Sequence, residues 1–179
     1  MTIGIDISQL VYEGTGVGGF VKNLVEHMIS SDTKNSYVLF GSSLRKNAIL
    51  HALRESYKTY SHVRVVIFPF PPTFLDLLWN KLHIVPIEWF IGKVDVFIAS
   101  DWTQPPTVNA KRATILYDMI VFTNPRETAT TIVAVQKRRL AWVKKEIDLG
   151  ICISEATKLD TMKLLGLPAE KLTVVYPGF

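Results

Sequence analysis

Seven short apolar runs recur along the chain, at 3–7, 37–40, 63–68, 94–99, 113–117, 149–153 and 172–175. Most are continuously apolar rather than alternating, so strands made from them must be covered on both faces. Helical patterns fall between them, at 16–30, 44–57, 73–82, 86–92 and 154–165. A longer one reaches 147 from a cap at Thr128, Thr130 or Thr131. Strand and helix in alternation predict an α/β fold, a mostly parallel sheet with helices on both faces.

The chain has 179 residues, 48% of them hydrophobic, enough for one substantial core. Cys152 is the lone cysteine, which excludes an internal disulfide framework and fits a reducing compartment; inside an apolar strand it reads as a buried thiol. The formal charge of +4 favours anionic partners but is too small to argue for nucleic acid. No apolar run has transmembrane length, and the amino terminus lacks a signal-peptide pattern. His27, His51, His62 and His83 are scattered, so no metal site is expected. No nucleophile elbow occurs.

After the first strand comes Gly14-Thr15-Gly16-Val17-Gly18-Gly19, leading into an apolar helix face of Phe20, Val21, Leu24, Val25 and Met28. A helix N-terminus rich in glycine suits an anion; it equally suits a tight turn beside a closely packed helix. Gly14, Gly16 and Gly19 match the dinucleotide spacing. The acidic residue expected after the second strand is absent, because Phe40, Gly41 and Ser42 stand there, and residues 9–13 separate the loop from its strand.

Open parallel sheets keep ligands beyond their strand ends, which singles out other residues. Asp118 follows Tyr117 after strand five, either as a loop cap or as a carboxylate for hydroxyl binding and proton transfer. Asp101 and Trp102 follow strand four, suited to a sugar or to sealing a loop. Ser154 and Glu155 follow strand six, where a helix cap and a first-turn charge explain them as well. Arg126 and Glu127 reach the cleft or pair with each other. The stretch 70–91 holds more apolar surface than two short helices need, and the next long helix carries Lys137, Arg138, Arg139, Lys144 and Lys145. Sheet packing accounts for the apolar stretch, as does a surface for a lipid-linked partner, a membrane or another domain, and a solvated face accounts for the basic residues.

Three groups of residues carry a resemblance that spans the chain. They are 3–6 with 14–19; 114–120 with 124–127; and 153–158 with 165–172 and 174–178. Together they resemble the amino-terminal domain of family 4 retaining glycosyltransferases, a Rossmann-like half of the two-domain GT-B fold. The resemblance implies residues 1–175 as an acceptor-side domain and 176–179 as the start of an interdomain linker, the donor-binding domain being absent. It implies metal-independent, cofactor-free hexosyl transfer, of mannose or rhamnose, from a GDP-, UDP- or dTDP-linked nucleotide-sugar. The acceptor would be a glycan or lipid-linked molecule of surface polysaccharide synthesis, and the fragment alone would be inactive. Gly16, Gly18 and Gly19 would approach the donor phosphates. Asp118 and Tyr117, the latter where many relatives have histidine, would be catalytic. Asp101, Trp102, Arg126, Glu127, Ser154 and Glu155 would bind substrate. The implied location is cytoplasmic and peripheral to the inner face of the cell membrane, with no nucleic-acid partner. Two alternatives stand beside it: a dinucleotide-binding domain of an oxidoreductase, and a non-catalytic structural or regulatory domain.

Overall fold

The computed structural model describes residues 1–178. Its strands are β1 (Thr2–Asp6), β2 (Ser36–Ser42), β3 (Val63–Phe68), β4 (Val96–Ala99), β5 (Lys111–Leu116), β6 (Leu149–Cys152) and β7 (Leu172–Val174). They form one parallel sheet in the order β3-β2-β1-β4-β5-β6-β7. This is a single Rossmann-like sheet with flanking helices. The strand order reverses between β1 and β4, and that point opens a crevice at the carboxyl ends of the strands.

Alternate residues of each strand feed opposite faces. Tyr37, Leu39, Ile98, Ala113, Ile115 and Ile151 join Ile3, Ile5 and Ile7 on one face, where α1 (Gly16–Ser31) and α2 (Asn47–Tyr57) pack. Val38, Phe40, Phe97 and Ala99 face the other way, onto Leu75, Trp79, Ile87 and Ile91. Further along that second face, Leu116 and Cys152 meet Leu140 and Val143 of α6 (Thr130–Glu146), Ile147 just past its end, and Leu165 of α7 (Glu155–Leu165). The apolar runs are therefore two-faced because each strand is covered twice.

The aromatic stretch is mostly sheet packing with a distinct local geometry. Pro72 opens α3 (Pro72–Leu75), which widens directly into a π-helical turn, Asp76–Lys81, and α4 (Glu88–Ile91) follows. The link between them holds His83 at φ 52° and Val85 at φ 63°, a region that a β-branched residue adopts only under constraint. The constraint is visible. Trp79 Nε1 donates to Val85 O at 2.9 Å, and the His83 ring stacks on Trp142 of α6 at 3.7 Å. Arg138 Nη2 reaches the buried Asp76 carboxylate at 2.6 Å, and Trp142 Nε1 donates to Asn80 O at 2.8 Å. The segment is thus clasped to α6. The predicted loop after strand five contains a short helix, α5 (Ile120–Thr123), and a 3-10 turn, Pro125–Glu127. The helix expected from 44 begins at Asn47, because the Ser43 hydroxyl accepts the Lys46 N–H and holds a turn before it.

Candidate functional site

Past the end of β1 the backbone stays bound to β2. Ile7 N–H donates to Phe40 O at 2.7 Å, and Ser42 N–H donates to Ser8 Oγ at 2.9 Å. A 3-10 turn, Ser8–Val11, then fills the space where the chain might have run straight into α1. This turn, the end of β2, α3 and the segment after β4 enclose a cavity of about 380 Å3, lined by Asp6, Ser8, Gln9, Asp101, Trp102 and Thr103, among others. A second cavity of about 180 Å3, lined by Tyr117, Asp118, Gln136 and Arg139, shares one polar side chain with the first, that of Asp101.

Under both lies a network of charges. Arg139 is buried and donates to Thr114 Oγ1 at 2.6 Å, Ile115 O at 2.8 Å and Gln136 Oε1 at 3.2 Å. Gln136 Nε2 in turn donates to Asp101 Oδ1 at 3.1 Å, leaving the other carboxylate oxygen free. Asp6 accepts from Ser100 Oγ at 3.0 Å and Ser8 N–H at 2.9 Å. Burial pushes the Asp101 and Asp6 carboxyls above their ordinary range, and the Arg139 charge opposes that shift. Burial also lowers Arg139 from its ordinary value, against the pull of Asp101, Tyr117 and Asp6. The Tyr117 phenol is pushed well up by burial and then by Asp101. Its hydroxyl is buried without a partner, as is the Trp102 indole N–H.

The sequence candidates separate into groups. Asp101 and Trp102 line the first cavity; Tyr117 and Asp118 line the second. Tyr117 packs edge-on against Phe20 at 5.8 Å, and Asp118 accepts the Ile120 N–H at 3.0 Å, so its loop-capping role is present. Gly16, Gly18 and Gly19 form the first turn of α1 and face a different groove, between α1 and α2. Ser154 caps α7 by accepting the Thr157 N–H at 3.1 Å, and Glu155 is exposed in its first turn. Arg126 and Glu127 are exposed and do not pair; Glu127 accepts from Asn124 instead. Neither pair lines the two cavities. Among the described residues no metal-ligating cluster occurs.

The sequence presents Arg139 as part of a charged helix face and does not single out Gln136. The signal for Arg139 lies in its spacing: Val135, Arg139, Leu140 and Val143 are the buried positions of α6, so Arg139 occupies a core position. Asp6, Ser8, Gln9 and Ser43 gave no motif, because the 3-10 turn that gathers them has none.

No family model matches the chain. No curated protein matches it either. Among solved structures it is similar to a short chain dehydrogenase/reductase from Saccharomyces cerevisiae, at 11% identity and a TM-score of 0.44, over 92% of this chain and 76% of that one. A likeness so distant assigns no activity. The expected membership of family 4 glycosyltransferases is corrected: neither a family model nor a curated protein supports it. With it go the retaining mannosyl or rhamnosyl transfer and the GDP-, UDP- or dTDP-linked donor. The first cavity of the crevice is lined by two carboxylates and by no lysine or arginine, a poor surrounding for a pyrophosphate.

The same chemistry weighs against a dinucleotide. Thr15 already accepts the Gly18 N–H on its hydroxyl at 3.1 Å and the Gly19 N–H on its carbonyl at 2.9 Å, which occupies two of the amides a phosphate would use. After β2, Ser42 Oγ donates to Phe70 O and Ser43 Oγ caps Lys46, with no carboxylate for a ribose. The residues present do not fit NAD or NADP in the usual Rossmann manner.

Proposed function

We propose that this chain is a Rossmann-like binding domain for a neutral, hydroxyl-bearing small molecule of about nucleoside size, held in the switch-point crevice. One observation carries it: Asp101 is common to both cavities, with one carboxylate oxygen fixed by Gln136 and the other free for a ligand hydroxyl. The Tyr12 and Trp102 rings supply apolar walls. The Asp6 and Asp101 charges disfavour an anionic ligand. Calorimetric titration tests this with adenosine, AMP and NAD(H) as probes. Adenosine is expected to bind more tightly than either phosphorylated compound, and Asp101→Asn to weaken it about tenfold. Tighter binding of NAD(H) than of adenosine, or an unchanged affinity in Asp101→Asn, would refute the proposal.

A further inference from the structure

The stretch 74–89 buries one side and leaves the other uncovered. Phe40, Phe68, Phe70, Trp79 and Phe90 form an aromatic underlayer against the sheet, with ring centroids 5.3–6.4 Å apart in successive pairs. From this base Leu77, Leu82, Ile84 and Trp89 project into solvent, Trp89 at 74% exposure. A stable fold gains nothing from an exposed tryptophan beside the half-buried Phe90, so a patch of this kind marks a contact surface.

The charges around the patch identify the contact. Its acidic residues are already engaged. Asp76 is buried against Arg138; Glu88 accepts the backbone N–H groups of Val108, Asn109 and Ala110; Glu146 on the adjoining helix pairs with His83 and Arg112. Lys81, Lys93, Lys144 and Lys145 are exposed, and among the described residues none has a carboxylate within ion-pair distance. Lys145 lies over the Trp142 ring at 4.8 Å, and Trp142 is bonded to Asn80, which brings the basic end of α6 to the edge of the apolar patch. Apolar side chains beside uncompensated lysines match the boundary between headgroups and acyl chains.

We infer that this face docks on an anionic phospholipid surface, with Leu77, Leu82, Ile84 and Trp89 entering the interface and Lys81, Lys93, Lys144 and Lys145 meeting the headgroups. Among the described residues no helix is long and apolar enough to cross a membrane, so the contact is peripheral. It is independent of the ligand proposed for the crevice.

Co-sedimentation of the whole chain tests it, with phosphatidylcholine vesicles with and without phosphatidylglycerol. Binding is expected only with phosphatidylglycerol and is expected to fall as salt rises. Each lysine near the surface contributes about a fivefold factor, so Lys144→Gln with Lys145→Gln should lower partitioning about 25-fold. Trp89→Ser, at an exposed position, should fold normally and also weaken binding. Equal binding to neutral vesicles, no binding to either, or anionic binding unchanged in both variants would overturn the inference. Capture of an acidic protein in preference to the vesicles would do so too.

Discussion

Replacing Arg139 with methionine removes a cation from beneath the crevice while keeping most of its aliphatic volume. The change deletes three hydrogen bonds, to Thr114 Oγ1, Ile115 O and Gln136 Oε1, and leaves Asp101 and Asp6 without the charge that opposes their burial. Removing one partner from a buried charged network costs about 3–5 kcal/mol. For a chain of this length the unfolding entropy is about 0.38 kcal/mol/K, so Tm should fall by about 8–13 °C. The pH dependence has a definite sign. Asp101 and Asp6 already titrate above their ordinary value of 3.8 in the folded chain, and loss of Arg139 raises them further. A carboxyl raised on folding binds more protons in the folded state. Its burden on stability therefore grows as pH climbs from the unfolded value through the folded one, then levels off. The deficit of Arg139→Met should be largest near neutrality and shrink in acid. Urea titrations of both proteins across that range measure it. A variant within about 1 kcal/mol of the parent at neutral pH, or a deficit independent of pH, would refute the account of the buried network.

Three further outcomes follow from local geometry. A Cβ on Gly18 would lie 3.0 Å from both Thr15 Oγ1 and Tyr12 O and 3.3 Å from Gln9 O, whereas one on Gly19 meets nothing within 4 Å. Thermal melts should show Gly18→Ala destabilised by about 1–3 kcal/mol and Gly19→Ala stabilised by about 0.5–1 kcal/mol. Ser154→Ala removes the cap of α7 and should cost about 1 kcal/mol in chemical unfolding. Asn35, then Tyr37, hold the Asp32 carboxyl well below its usual range, and burial, then Asp32, push the Tyr37 phenol up to about 12. The Asp32 contribution should thus persist above its ordinary 3.8 and vanish as pH falls through the lower folded value; NMR titration of the carboxyl detects it.

The sheet was legible because each strand had to be apolar on both faces, and all seven runs became strands within two or three residues. Ser154 and Gly166 gave α7 its ends, since a hydroxyl cap and a left-handed glycine leave plain marks in sequence. The site was half legible. Asp101, Trp102, Tyr117 and Asp118 follow strand ends, as the topology of parallel sheets requires. What converts them into a site is Arg139, hidden in a basic run, and a 3-10 turn with no sequence signature. The glycine run was the most conspicuous motif. In the structure Gly18 lets the segment 9–15 fold tightly against the first turn of α1. The π-helical turn was unreadable because it follows from the clasp between Asp76 and Arg138, a contact between residues 62 apart.

The central position of β1 has a consequence for synthesis. It leaves the ribosome before the other strands of this sheet, yet one of its two neighbours is β4, whose Asp95 flank accepts the Thr2 N–H across 93 residues. At about 5–20 residues per second the edge of β1 stays unpaired for about 5–20 s while the chain lengthens. The sheet contains no hairpin that could close earlier, since every pairing is parallel and needs a crossover. The nascent chain thus leaves the β4-facing edge of β1 unpaired longest. A trigger for aggregation during expression would lie there, on an edge that the finished sheet covers.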